Sequence, residues 1–311
     1  MEVIKGIHNL RPQHRDCIIT IGNFDGVHKG HQVIIKHIKE KARELNLPAL
    51  LICFEPQPEE YFDPLSAPAR LTRLREKLVL LDEYGLDRVL CLKFNDRTRN
   101  MSARDFVNVL VDDLGVKYLV VGDDWKFGYD RTGDFSMLQQ AGVAHGFSVT
   151  KRNTLTYDDL RVSSTRIREC LAEGNFDLAE QLLGHPYSIM GKVVYGRQLG
   201  KQLGTPTANI QLHRYRAPID GVYAVEVDGL DKLYFGVANC GFRPTVDSDT
   251  PKPILEVHLF DFSCDIYGKG VKVVFRHKIR SEKKFENLEE LKSAIKRDID
   301  RAREIFSSAG R

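Results

Sequence analysis

The sequence predicts an α/β half followed by a β half: a doubly wound parallel sheet first, then an antiparallel β-barrel with a terminal helix. Three observations predict it. At 311 residues the chain exceeds one typical domain, so two are expected. Up to about residue 150, strand-length apolar runs alternate with stretches of helical periodicity, as in sheets whose parallel strands are joined by helical crossovers. From about residue 186, helical periodicity nearly vanishes and strand-length runs are separated by Gly, Pro and Asp turns, as in barrels and sandwiches.

The elements follow in order. The run 17–21, Cys-Ile-Ile-Thr-Ile, reads as a buried strand, and further strand-length runs fall at 49–54, 88–92, 118–121 and 147–150. Helical spacing covers about 30–45, 73–84, 102–114 and 134–145; in the first stretch Val33, Ile34, Ile38, Ala42 and Leu45 recur at helical intervals. Ser102 is placed to cap the third helix and Gly115 to stop it. A short helix at 176–183 ends at Gly184-His185-Pro186, which sets domains of 1–185 and 186–311. The second domain offers strands at 188–194, 222–227, 232–237, 254–260 and 271–277. Its last helix, about 286–306, carries Leu288, Leu291, Ile295, Ile299, Ala302 and Phe306 on one stripe, which must pack back on the barrel.

Composition excludes several classes. The apolar fraction of 42% suffices for packed cores, and 46 basic residues against 43 acidic leave no chain-wide field that calls for nucleic acid or a membrane. The apolar runs are strand-sized, and the opening Met-Glu-Val-Ile-Lys lacks the basic-then-apolar layout of a signal peptide. A cytoplasmic protein with no nucleic-acid and no membrane partner is the expectation. The six cysteines, at 17, 53, 91, 170, 240 and 264, form no C-x-x-C pair, so they read as reduced, buried, small apolar residues with no zinc site and no disulfide framework.

Each distinctive motif of the first half follows a strand. At 22–31 the sequence is G-N-F-D-G-V-H-K-G-H. Its glycines let the backbone turn tightly and approach a ligand, and the free N–H groups of the following helix favour an anion. His28 and His31, three residues apart, can both donate to phosphate oxygens as charge builds on a leaving pyrophosphate. Segment 54–58, F-E-P-Q-P, followed by Tyr61 and Phe62, offers a stiff aromatic wall or an ordinary loop. Segment 122–128, G-D-D-W-K-F-G, carries the chain's one Trp in a polar loop that can stack on a ring or simply turn. At 163–168, S-S-T-R-I-R combines capping hydroxyls with two arginines in a helical first turn, where cations oppose the helix dipole unless an anion binds.

In the second half, glycines at 196, 200 and 204 lead into Pro206-Thr-Ala-Asn209, a loop credible as a phosphate cradle but lacking the Lys-Ser/Thr ending of a Walker A. Thr207 and Asn209 offer neutral oxygens suited to Mg²⁺ carried by ATP phosphates. In 254–262, alternation puts Leu255, Val257 and Leu259 on one face and Glu256 with His258 on the other, so periodicity alone makes Glu256 a solvent-facing carboxylate.

These motifs, in this order and over nearly the whole chain, resemble those of the FAD synthetase family, the bacterial bifunctional riboflavin kinases/FMN adenylyltransferases. The resemblance implies two reactions: ATP phosphorylates riboflavin to FMN, and ATP then adenylates FMN to FAD with release of pyrophosphate. In the adenylyltransferase it implies catalytic roles for His28 and His31. ATP binding there falls to Gly22, Asn23, Phe24, Asp25, Gly30, Ser164, Thr165, Arg166 and Arg168, and flavin binding to Phe54, Pro56, Pro58, Phe62 and Asp124. In the kinase it implies ATP binding by Gly191, Lys192, Gly196, Gly200, Gly204, Thr205, Pro206, Thr207 and Asn209. Mg²⁺ is then held at Thr207 and Asn209, and Glu256 is the general base. The implied partners are riboflavin, FMN and ATP, the implied assembly a monomer or weak homo-oligomer.

Two rivals stand beside this reading. Residues 269–311 hold 13 Lys/Arg against 7 Asp/Glu, as an RNA-binding barrel would, although a solvated helix face explains the same charges. The other rival is a nucleotidylyltransferase for a different substrate with a non-catalytic barrel.

Overall fold

The computed structural model describes residues 1–122, 125–152, 154–196, 204–243 and 252–308. Its contacts divide the chain into two compact units, Met1–Pro68 with Thr72–Ser163, and Ala69–Leu71 with Ser164–Arg311.

In the first unit, β1 (Glu2–Lys5), β2 (Ile18–Ile21), β3 (Ala49–Glu55), β4 (Arg88–Lys93), β5 (Tyr118–Gly122) and β6 (Ser148–Arg152) form one sheet in the order β1-β4-β3-β2-β5-β6. All its pairs are parallel. The alternation of each strand sorts its side chains between two layers. Leu50 and Ile52 of β3 join Ile19, Ile21, Leu90, Leu92, Leu119 and Val121 in one cluster, sealed by Phe106, Leu110 and Leu138. Ala49, Leu51 and Cys53 join Ile18, Val89, Cys91 and Val120 in the other, sealed by Ile35 and Ile38 of α1 (Lys29–Leu45). Because both faces are covered, the strands read as continuous apolar runs. The chain leaves β2 toward β3 and β4 on one side and reaches β5 and β6 on the other. The order therefore reverses at β2, and the crevice beyond its carboxyl end is where such sheets bind ligands.

The doubly wound sheet is as expected, with local differences. Strand β1 was not expected; it is four residues long with only Ile4 buried, and it finds its place by pairing with β4. The stiff turn expected at 54–58 leads into a short helix, α2 (Pro58–Phe62), since Pro at the first helical position forfeits no hydrogen bond. Helix α3 spans Leu74–Glu83, and α4 (Asp96–Arg99) is an added turn. Ser102 caps α5 (Ala103–Asn108) by accepting from the Asp105 N–H at 3.0 Å, but the helix widens to a π turn over Val109–Asp113 before Gly115, at φ +55°, ends it. Helix α6 covers Phe135–His145, and β7 (Thr156–Tyr157) pairs with β8 (Leu160–Arg161).

The second unit carries α7 (Ser164–Glu173), α8 (Phe176–Leu183) and a closed barrel. Strands β9 (Ser188–Val194), β10 (Ala208–Ile210), β11 (Gly221–Asp228), β12 (Tyr234–Arg243), β13 (Lys252–Leu259) and β14 (Gly270–Arg280) close in the order β10-β13-β12-β11-β14-β9, with every pair antiparallel. The contacts group 164–183 with the barrel because Phe176 packs against Tyr223 and Phe275, with ring centroids 5.6 and 6.4 Å away. Tyr223, Val225, Leu255 and Val257, one face of their strands, are fully or almost fully buried in the barrel. The alternate face, with Val222, Ala224 and Val237, is covered by the last helix, α9 (Leu288–Ser308), through Ala302 and Phe306. Leu288, expected on the apolar stripe, is 57% exposed, and Ala294 and Asp298 take buried positions instead. Five cysteines are buried as expected, but Cys264 is exposed.

Phe306 is 5% exposed and packs 4.5 Å from the Phe235 ring. Phe306→Ala removes this contact and leaves a cavity, and should cost about 3 kcal/mol of the second unit's stability, measured by urea unfolding. An unchanged midpoint would remove α9 from the unit's core.

Candidate active sites

The turn after β2 is conformationally expensive. Phe24 and Val27 have φ of +48° and +42° and Gly26 +81°, a region that non-glycine residues avoid, β-branched ones most of all. Side-chain hydrogen bonds hold it in place. The Thr72 N–H and hydroxyl donate to Asp25 Oδ1 at 2.9 and 3.3 Å, the Gly26 N–H donates to Thr72 Oγ1 at 2.9 Å, and Gln32 Nε2 donates to the Val27 carbonyl at 2.8 Å. Asp25, expected to bind ATP, is thus 4% exposed and fixes the turn from within.

The turn delivers two imidazoles. His28 caps α1, its Nδ1 accepting from the His31 N–H at 3.4 Å, so in the neutral ring the proton sits on Nε2. The His28 and His31 rings stack at 3.6 Å, and Phe24 covers the His31 ring at 4.4 Å. A Cβ on Gly30 would lie 3.1 Å from the His28 ring, so glycine there makes room for the stack. Burial, then His28, then Lys77 hold the His31 imidazole well below its usual range, which keeps it neutral. His31 Nδ1 is out of reach of solvent and has no hydrogen-bond partner.

A cavity of about 970 Å³ adjoins this turn and brings together Gly22, Asn23, Phe54, Pro58, Phe62 and Trp125. Phe54 and Phe62 set their edges against Phe94 at 5.8 and 5.9 Å, and the Arg99 guanidinium lies over Phe62 at 5.3 Å. Trp125 stacks on Phe127 at 4.8 Å. Pro56 follows a cis peptide bond in the same segment but does not line the cavity. Phe94, Arg99, Phe106 and Tyr129 belong to the wall and were not foreseen. Asp124 and Gly200 lie outside the described residues. Ser164, Thr165, Arg166 and Arg168 occupy the first turns of α7, in the second unit, where Arg168 Nε donates to the Ala69 carbonyl.

In the second unit, Asn209 of β10 stands opposite Glu256 of β13, which stands opposite Asn239 of β12. This row lies on the face that α9 covers, because Val237 and His258 are the next opposed pair on it. Glu256 is therefore half-buried and not turned to open solvent. With Thr205, Thr207, Asn239, His258, Glu282 and Phe285 it lines a cavity of about 270 Å³. His258 Nδ1 is 2.9 Å from the Pro206 carbonyl, which can only accept, so Nδ1 carries the proton and ties 205–207 to β13. Gly196 passes so close to Asn209 that a Cβ would lie 2.2 Å from Nδ2. Gly191 and Lys192 sit on β9, where a Cβ at 191 would meet Ile210 at 2.4 Å and Lys192 is exposed.

Arg280 and Asp298 close the roof of this cavity. Arg280 Nε and Nη2 donate to the two carboxylate oxygens at 2.8–3.1 Å, and Asp298 is 6% exposed. Burial, with Asp220 nearby, pushes the Glu282 carboxyl above its usual range. Sequence reasoning missed Asn239, Arg280, Glu282 and Asp298; Asp298 alone carried a signal, a carboxylate on the apolar stripe of α9.

Residues 10–166 match the family model described as FAD synthetase, and residues 183–306 the one described as riboflavin kinase. The bifunctional riboflavin kinase/FMN adenylyltransferase of Pseudomonas fluorescens is 54% identical over 306 residues, covering 98% of each chain. The protein of the same name from Escherichia coli K12 is 50% identical over 309 residues, again with 98% of each covered. A solved structure titled macrolide-efflux protein from Streptococcus pneumoniae superposes with a TM-score of 0.78 at 29% identity, covering 96% of this chain and 97% of that one.

The neutral His31 makes stability depend on pH. Unfolded, its imidazole takes up a proton near 6.5; folded, it does so only at lower pH, so the unfolded state binds more protons between the two values. The stability this group contributes is complete above about pH 7 and falls as pH drops through the window. Denaturant unfolding from about pH 7.5 to 5.5 should show a shallower pH slope for His31→Gln than for the parent protein. Equal slopes would show that His31 titrates normally in the folded protein.

Proposed function

The chain belongs to the bifunctional riboflavin kinase/FMN adenylyltransferase family, and from that membership we propose how its halves divide the chemistry. In the barrel domain, 186–311, ATP phosphorylates riboflavin to FMN. In the sheet domain, 1–185, ATP adenylates FMN, giving FAD and pyrophosphate. The observation that carries this reading is a pair of separate cavities, each lined by its own motif set.

In adenylyl transfer the FMN phosphate attacks the α-phosphorus of ATP and pyrophosphate leaves. The attacking oxygen is already ionised, so positioning and fixed positive charge suffice. His28, with its proton on Nε2, donates to the leaving pyrophosphate with His31 stacked behind it. Gly22, Asn23 and the 22–31 turn approach the nucleotide, and Phe54, Pro58 and Phe62 form the wall for the flavin ring.

In the kinase, Glu256 accepts the proton of the riboflavin 5′-hydroxyl as that oxygen attacks the γ-phosphorus. Thr207 lines the cavity just before β10, and Asn209, two residues on and opposite Glu256, joins it in a pair of neutral oxygen donors that fits Mg²⁺ brought in by ATP phosphates. Among the described residues no group of three or more His, Cys, Asp or Glu could hold a metal, so nucleotide phosphates would complete the shell. Bound there, Mg²⁺ supplies neutralisation of the transferring phosphoryl group. The protein acts as a cytoplasmic monomer or weak homo-oligomer in this reading. The basic excess near the C-terminus is interleaved with acids, as in the pairs Lys283–Glu290, Lys292–Glu289, Arg301–Glu304 and Arg303–Asp261, which favours a solvated face over an RNA surface.

The test is incubation with riboflavin, ATP and Mg²⁺, with flavins separated by chromatography: FMN and then FAD appear, and absence of both sinks the reading. A crossed pair of variants assigns the sites. Glu256→Gln slows FMN formation about 10²- to 10⁴-fold while adenylation of supplied FMN continues. His28→Ala slows FAD formation about 10²- to 10³-fold while FMN formation continues. Loss of both activities in either variant would assign that residue to folding.

A further inference from the structure

The apolar stripe of α3 contains a lysine. Leu74, Lys77, Leu78 and Leu81 recur at i, i+3, i+4 and i+7, the spacing of a core-facing helix. The three leucines join the cluster that contains Phe24, Val27 and Ile35. Lys77, at the fourth position, is 0% exposed and its Nζ has no hydrogen-bond partner. On the same side of the unit, Asp25 Oδ1 accepts from Thr72, and Glu76 Oε2 accepts from the Arg73 N–H at 2.6 Å. The charge of Lys77 is felt by His31 and by the Cys91 thiol. Of these, His31 Nδ1 is itself buried and unpartnered.

We propose that Lys77 is a positioning residue for adenylyl transfer, its unpartnered ammonium set beside His31 to hold positive potential on the 22–31 turn for the triphosphate. A buried ammonium without a counter-ion is costly to the fold, and a leucine or methionine at this stripe position would remove the cost. The His31 imidazole and the Cys91 thiol, which feel its charge, are not anions in the folded protein. The missing negative charge is supplied by a ligand at the carboxyl end of β2, where α3 packs against the turn through Leu74 and Leu78. A fixed cation in a site shielded from water acts at several ångströms and needs no direct contact with the nucleotide. The inference rests on the adenylyl-transfer reading.

Two neutral variants of different shape, Lys77→Met and Lys77→Gln, test it in the full chain. With FMN and ATP supplied, both should lower kcat for FAD formation by about 10- to 100-fold with the KM for FMN unmoved. FMN formation from riboflavin should match the parent protein. In urea unfolding, Lys77→Met should be at least as stable as the parent, since it removes a buried unpaired charge, whereas a structural lysine would leave it less stable. Parental kcat in either folded variant overturns the proposal, as does a loss of stability that accompanies the loss of activity in both. A parent protein that makes no FAD would overturn the adenylyl-transfer reading itself, a separate result.

Discussion

Strand β2 is enclosed by apolar side chains on both faces, with Ile18 and Ile19 at 0% and Ile21 at 3% exposure. A strand buried in this way can present polar groups only where it ends. The turn at 22–31 is consequently the first place where the chain can offer backbone N–H groups and imidazoles to a ligand. Its positive φ values at Phe24 and Val27 persist because Asp25, Thr72 and Gln32 tie it from several directions. The barrel obeys the same constraint differently. Its interior is filled by Tyr223, Val225, Leu255 and Val257, so the polar side chains of the candidate site lie on the alternate face. There α9 and the chain around Glu282 and Phe285 turn an outer surface into a cavity.

That displacement explains what was legible in Glu256 and what was not. Period-two alternation puts Glu256 opposite the core-facing Leu255 and Val257, and it is there. The same rule makes it a surface carboxylate, because alternation carries no information about what covers the second face. The cover comes from α9, more than thirty residues later, and the clue was the apolar stripe that α9 had to bury somewhere. The doubly wound sheet and the barrel were legible for the complementary reason: each is dictated by local period and by turn residues spaced along the chain. Strand β1 was not, since four residues with one buried side chain gain their structure from β4 and not from their own pattern.

Site residues divide along the same line. His28, His31, Phe54 and Thr207 stand in contiguous motifs whose spacing has a chemical reason. Phe94 and Arg99 reach the first cavity from the end of β4 and the turn after it, and Asn239 and Glu282 reach the second from β12 and the segment after β14. Each is ordinary in its own window, and only the strand order brings it to the site.

A polar residue on an apolar helical stripe is the exception, because its window already marks it as out of place. Two stand out among the described residues, Asp298 on α9 and Lys77 on α3, both buried. Asp298 is answered within the chain by the two-pronged donation from Arg280, a pair that ties the end of β14 to α9 and closes the roof over Glu256. Lys77 has no such answer, since its Nζ has no hydrogen-bond partner. A buried charge costs the fold less when its partner is part of the chain than when it has none. The first arrangement therefore does structural work and needs no ligand to explain it. The second leaves a cost in the folded protein that an incoming anion would offset, which is the ground for proposing that this lysine serves the turn at 22–31 and not the core alone.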